Sequence, residues 1–401
     1  MDKQRMLGWL VGLIVVAGVI YLVVTRGAGP TAKKPAGSEP PPSAVTGEAT
    51  VIGAIVPLTG DAASYGIPIQ RAVEMAVADI NALNGVGGKP LKVQFEDGKC
   101  DGKEGAGAAQ KLINVSKVKY IIGGVCSGET LGFAPIANQN KVVVISPSAT
   151  SPDITTKGGP FVFRFSPSDA LAGTVAAKYA IKNLGAKTAA IVSEQTDYAQ
   201  GLRRTFAAEF RKKGRVVVDE TFQSSETNFQ SIALKVNRAP VDVIYLVPQT
   251  PTPGLLLVKQ LREQKVSGAL LTAEVLIGRD TVEKNAEDLD GVVGFEAYFD
   301  ENSDRAKPFL DTYEVRYGEK PPFPFFMANA YSITYLIKDL IEQNGMNTDK
   351  SLQSLVALKG WAGGALGGVT LDRSGDPVWT DYSVKQVFQG KLNDVMVFKA
   401  Q

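Results

Sequence analysis

The chain has 401 residues, 44% of them hydrophobic and 21% charged, with a formal net charge of +2 and no histidine. This balance suits a globular protein, and Lys and Arg are scattered among acids, so no basic stripe marks a nucleic-acid partner. Without histidine the chain can build no Ser-His-Asp or Cys-His arrangement, no zincin motif and no His-ligated metal site.

Met6 to Val24 reads MLGWLVGLIVVAGVIYLVV, nineteen uncharged residues preceded by Lys3 and Arg5. As a helix rising about 1.5 Å per residue it would span roughly 28 Å, close to the thickness of a bilayer core. Two readings stand: a transmembrane anchor (6–24) behind a short cytoplasmic N-terminus (1–5), or a cleaved signal. Length favours the anchor, because a cleavable apolar core is typically about 7–15 residues. Cleavage sites are also poor, since Ala28, Ala32 and Ala44 pair with Arg26, Pro30 and Pro42 where an A-x-A site wants small residues. The following stretch, 25–49, is a Pro/Gly/Ala-rich linker: in TRGAGPTAKKPAGSEPPPSAVTG, eighteen of 23 residues are Gly, Pro, Ala, Ser or Thr. It has no apolar face to bury and is expected to be disordered. About 350 residues remain to fold, more than one hydrophobic core usually supports.

From Val51 onward short apolar runs alternate with amphipathic segments. Strands are predicted at Val51–Val56, Leu91–Phe95, Tyr120–Gly123 and Val142–Ile145. Helices fall between them at Tyr65–Asn84, Gly105–Val115 and Glu129–Asn138, the first marked by Ile69, Val73, Ala76, Ile80 and Leu83 at spacings of three and four. The pattern restarts with helix Ala170–Leu184 and strand Thr188–Val192. It continues through helix Gln200–Lys213, strand Val216–Glu220, helix Asn228–Val236, strand Val243–Val247, helix Leu255–Gln264 and strand Ala269–Leu271. Repeated βα units imply parallel sheets with helices on both faces, and the restart implies two such lobes. Helices Asp304–Tyr317 and Met327–Gln343 cannot be assigned to either lobe from periodicity.

Open parallel sheets bind ligands beyond the carboxyl ends of their strands. Those ends carry Pro57-Leu58-Thr59-Gly60 and then Tyr65, Cys126-Ser127-Gly128, and Ser146-Pro147-Ser148-Ala149-Thr150; in the second half they carry Asp197-Tyr198, Gln249 and Glu274. A desolvated carboxylate suits amide N–H groups at a helix start with hydroxyls beside them, which Ser127, Gly128 and Thr150 can supply. A desolvated ammonium wants a carboxylate, which Glu274 can supply. Each residue also has an ordinary structural reading: Ser127 as a helix N-cap, Thr150 as a turn former, Glu274 as a solvated loop acid. Cys100 and Cys126 are the only cysteines, and read either as one disulfide across about 26 residues or as two buried thiols.

The ordered set VIGAIVPLTGDAASYG, AVADINALNGVGG, FEDGKCDGKEG, IIGGVCSGET, ISPSATSPDIT and DYAQGL resembles the branched-chain (leucine/isoleucine/valine-type) amino-acid-binding receptors of bacterial ABC importers, from about Val51 to Lys399. The resemblance implies a type I periplasmic-binding fold: an α/β molecule of two doubly wound parallel-sheet lobes joined by a hinge crossed three times. Lobe one would take 50–166 and 299–370, and lobe two 167–298 and 371–401. It implies that Cys100 and Cys126 are disulfide-bonded. It also implies a ligand carboxylate held at Ser127 and Thr150, an ammonium held by the Ser148 carbonyl and Glu274, and aromatic cover from Tyr65, Tyr198 and Phe326. Gly128 and Ala149 fall within the same turns. Gln249 departs from the pattern, standing where branched-chain-specific members can carry an aromatic ring, so a purely aliphatic ligand side chain is not implied.

The resemblance implies an extracytoplasmic receptor that hands a free amino acid to the permease subunits of an ABC importer; the apolar run would tether it to the membrane, and a monomer is expected. No cofactor and no enzymatic activity are expected, since the chain also lacks a P-loop and a G-x-G-x-x-G after a strand. The alternative is a membrane-tethered sensor of the same fold. With five residues before the apolar run, a sensor would act through a separate signalling partner.

Overall fold

The computed structural model describes residues 47–379 and 381–399. The apolar run at 6–24 and most of the linker lie outside them. Among the described residues no helix is long and apolar enough to cross a membrane.

The first βα series runs β1 (Thr50–Val56), α1 (Ala63–Ala82), β2 (Leu91–Asp97), α2 (Gly102–Asn114), β3 (Tyr120–Gly123), α3 (Ser127–Gln139), β4 (Val143–Ser146), α4 (Asp153–Lys157) and β5 (Val162–Arg164). Its strands form an all-parallel sheet in the order β2-β1-β3-β4-β5. β3 and β4 are buried along their whole length, as strands covered by helices on both faces must be. Helix α1 buries Ile69, Val73, Ala76 and Ile80 on one stripe and ends before Asn84 and Gly85, both in the left-handed region.

The second series runs α5 (Asp169–Lys182), β6 (Thr188–Glu194), α6 (Asp197–Phe210), β7 (Arg215–Phe222), α7 (Gln230–Asn237), β8 (Val243–Val247), α8 (Pro251–Glu263), β9 (Ala269–Ala273), α9 (Arg279–Lys284), α10 (Ala286–Leu289) and β10 (Val293–Ala297). The chain then returns to the first sheet's side with α11 (Ala306–Tyr317), α12 (Pro324–Asn344) and α13 (Thr348–Val356). Helix α12 packs on α1 and β3, which settles what periodicity left open. The last elements are β11 (Asp381–Phe388) and β12 (Lys391–Lys399), which close the second sheet in the order β12-β11-β10-β9-β8-β6-β7.

The second sheet therefore differs from the all-parallel expectation. Strands β11 and β12 run antiparallel to their neighbours as a hairpin on one edge. A two-stranded return needs only a tight turn, here through Gln389 and Gly390 with positive φ, rather than a crossover helix. Strand β12 exposes most of its residues, as an edge does, so its sequence carries little of the apolar run that marked the inner strands.

The chain passes between the two sheets three times, before α5, after β10 and before β11. Arg164, 0% exposed, ties the first passage to the third. Its Nε donates to Asp376 Oδ1 at 2.6 Å and its Nη1 to the Ser151 carbonyl at 2.7 Å. Cys100 and Cys126 form a disulfide that joins the loop after β2 to the turn before α3.

Candidate functional site

The strand ends of both sheets converge on one cleft. A small pocket is lined by Tyr65, Val125, Cys126, Ser127, Ser148 and Phe326 from the first sheet's side and by Tyr198, Gln249, Glu274 and Val275 from the second's. A neighbouring pocket shares Glu274 and Phe326 and adds Thr150, Asp169, Phe299 and Tyr382. Eight of the ten expected residues thus face one of these two spaces. Gly128 and Ala149 line neither; the Ala149 amide is taken by Ser146 Oγ at 2.9 Å.

On the first side, helix α3 starts at Ser127 with Cys126 as its N-cap residue. Ser127 is therefore not the cap. Its Oγ accepts from the Ser151 amide at 3.1 Å, which ties the β3 turn to the β4 turn and leaves the hydroxyl proton to donate. The first amides of a helix have no partner inside the helix, so this turn presents N–H groups and the positive end of the dipole. Ser148 is fixed from behind, its Oγ donating to the Val125 carbonyl at 2.9 Å. Thr150 Oγ1 is buried without a hydrogen-bond partner among the described residues.

On the second side stand two buried carboxyl groups. Glu274 opens a short 3₁₀ turn just past β9. Burial pushes its carboxyl up to about 7, against the hydrogen bonds from its own amide and from Tyr198 that pull it down. Asp169, 2% exposed at the first position of α5, was not singled out in the sequence. There it reads as an ordinary acid in a helix's first turn, where the dipole favours it. The fold turns it into the cleft, with Oδ2 unpartnered among the described residues. Burial raises it well above the ordinary range, the charge of Glu274 adds to the rise, and Arg164 and the nearby Thr150 hydroxyl oppose it. Among the described residues neither Glu274 nor Asp169 forms a salt bridge, which suits the space beside them to a cationic donor.

Two further residues escaped the sequence reading. Phe323, before α12, packs its ring 4.6 Å from that of Tyr65. Glu194 at the end of β6 accepts from the Gln249 amide at 2.6 Å and from the Ser224 hydroxyl at 2.5 Å, fixing the turn that carries Gln249. Neither has a local sequence signal, because each depends on a segment far along the chain.

Among the described residues no cluster of acids and cysteines is arranged to hold a metal ion. The site offers a row of N–H and O–H donors on one wall and paired carboxyls on the other. Such walls are complementary to a molecule with an anionic and a cationic end.

A sequence family described as "Periplasmic binding protein" matches residues 50–391. The Leu/Ile/Val-binding protein BraC3 of Rhizobium johnstonii is 27% identical over 343 residues, covering 85% of this chain and 92% of that protein. Among solved structures, the leucine-binding protein LivK of Thermotoga maritima is similar with a TM-score of 0.78 at 27% identity, covering 87% of this chain and 98% of that one. The branched-chain amino acid transporter substrate binding protein LivJ of Streptococcus pneumoniae, solved in complex with isoleucine, has a TM-score of 0.78 at 28% identity and covers 88% of this chain and 100% of that one.

Proposed function

The chain belongs to the periplasmic binding protein family, with the two-lobed type I α/β fold, and we propose that it captures a free amino acid between its lobes and delivers it to an ABC importer. The observation that carries this reading is the opposition of the two walls. The α3 start, with Ser127 and the nearby Thr150, faces Glu274 and Asp169 across the cleft. The ligand's carboxylate goes to the first wall and its ammonium to Glu274, to Asp169 and to the Ser148 carbonyl. Tyr65, Tyr198 and Phe326 cover the side chain. Gln249, in the same cavity, admits a moderately polar side chain as well as an apolar one.

The relatives support the substrate class. BraC3 is named for leucine, isoleucine and valine, and LivJ holds isoleucine. The proposal includes attachment to the outer face of the cell membrane through 6–24, with the linker giving the lobes reach, and action as a monomer. The test is a thermal-shift screen of the purified protein against the twenty common amino acids. A ligand at 100 times its Kd adds about 2.7 kcal/mol to stability, a shift of several degrees. A flat response to all twenty would remove the amino-acid reading.

A further inference from the structure

Glu129 is 0% exposed and sits at the third position of α3, behind the turn that carries Ser127. The Val125 amide donates to its Oε2 at 2.7 Å and the Cys100 amide to its Oε1 at 3.2 Å. The Cys126 amide adds to the same hold. The fold makes room for this carboxyl with two glycines: a Cβ on Gly98 would stand 2.2 Å from Oε1, and one on Gly124 2.5 Å from Oε2. Through these bonds Glu129 fastens the loop after β2 to the turn before α3, beside the Cys100–Cys126 disulfide. Among the described residues no Lys or Arg pairs with it.

We propose that Glu129 is the positioning residue of the carboxylate subsite, and that it takes up a proton when a ligand carboxylate occupies the front of the same turn. The inference rests on the amino-acid reading above. One carboxyl binds the turn's amides from behind, and the ligand's binds its amides from the cleft. Glu129 accepts from the Val125 amide, two residues before Ser127, so both carboxyls act on one short turn. Two carboxylates this near in a buried place do not both stay ionised. The ligand is the stronger acid and keeps its charge; Glu129 gives up its own and still accepts from the amides.

Burial already pushes Glu129 up to about 8, and the charge of Asp97 pushes the same way. The other ionisable groups on the elements packed around it are Lys99 and Asp101 in the β2–α2 loop, Lys103 and Glu104 on α2, and Asp197 at the start of α6. Lys99 is engaged with Glu104 at 3.4 Å, and Asp101 caps α2. The glutamate is thus about half protonated near pH 8, where a further rise draws in a proton.

Calorimetry at pH 8 in two buffers of different ionisation enthalpy counts the protons taken up on binding. The probe is the amino acid that gives the largest thermal shift of the twenty. If occupancy raises Glu129 by one unit, wild type takes up about 0.4 proton per ligand more than Glu129→Gln. That variant also binds on the order of tenfold more weakly, because its amide group meets a backbone donor. The carboxyl ¹³C resonance of Glu129 in glutamate-labelled wild type gives a second readout that needs no variant: its titration midpoint rises on saturation with ligand. Equal uptake in the two proteins, or an unmoved midpoint, overturns the inference while leaving the amino-acid reading in place. A screen in which no amino acid shifts the protein removes both.

Discussion

The Tyr198 hydroxyl donates to Glu274 Oε1 at 3.0 Å, so the acid at the centre of the cleft is held by the side chain predicted to cover the ligand. Losing one partner of a buried charge pair typically costs about 3–5 kcal/mol. Glu274→Gln is therefore expected to lose two to three decades of affinity for the amino acid. Tyr198→Phe removes a hydrogen bond to a charged group, on the order of 1.5–3 kcal/mol. Calorimetry on the three proteins checks both values, and unchanged binding by Glu274→Gln would remove the ammonium assignment.

On the opposite wall Ser127→Ala should cost about 1.5–3 kcal/mol of binding, because one hydroxyl donor is lost while the helix-start amides remain. The same change leaves the Ser151 amide without its acceptor. A drop in melting temperature of the unliganded protein should accompany the loss of affinity. Loss of stability with full affinity would make Ser127 a purely structural residue.

Several buried acids set the pH response, Asp169, Glu274 and Glu129 among them, all shifted in the same direction. Glu274 is pushed up to about 7 and Glu129 to about 8, each from an ordinary value of 4.5 and each chiefly by burial. The folded state therefore holds more protons than the unfolded state between those limits. Their contribution to stability is full below pH 4.5 and is lost as pH rises through 7 and 8. The melting temperature of the unliganded protein should fall from pH 5 to pH 8.5, and fall less in Glu129→Gln. Affinity has the opposite slope at its acid limb, because Glu274 must ionise to hold an ammonium. Binding at pH 5.5 should be about thirtyfold weaker than its plateau value, and Glu274→Gln should flatten that limb. A melting temperature that rises across this range, or an acid limb unchanged in Glu274→Gln, would contradict the assignment.

The disulfide between Cys100 and Cys126 closes a loop of 26 residues. In the chain-entropy model it is worth about 3.5 kcal/mol. Reduction, or the Cys100→Ser/Cys126→Ser double variant, should lower the melting temperature by several degrees and weaken binding, since Cys126 lines the cavity and precedes the α3 start. Alkylation and mass measurement of native protein should find no free thiol.

The inner strands were legible because burial on both faces demands unbroken apolar runs, as in Val243–Val247, where every residue is buried. Helix α1 was legible because its buried stripe recurs at three and four. Strand β12 was not, since an exposed edge places no such demand on its residues, and in β11 the polar Lys385 and Gln386 interrupt the buried positions. At the site, Ser127, Glu274 and Tyr198 were visible as polar residues at strand ends. Asp169 was hidden inside a normal helix start, and only the crossing between the sheets turns it into the cleft. Glu129 was read merely as the beginning of a helix. Its burial depends on Gly98 and Gly124, which lie in two other loops.

In the proposed binding mode each wall holds one end of a free amino acid. The direct measurement is calorimetry of the wild-type protein with three ligands: the amino acid that shifts its melting temperature most, the matching acid without the amine, and the matching amine without the carboxylate. With a buried partner left unpaired in each truncated ligand, both should bind at least about a hundredfold more weakly than the amino acid. Binding of the deaminated acid as tightly as the amino acid would contradict the account, because Glu274 and Asp169 would then have no cation to hold.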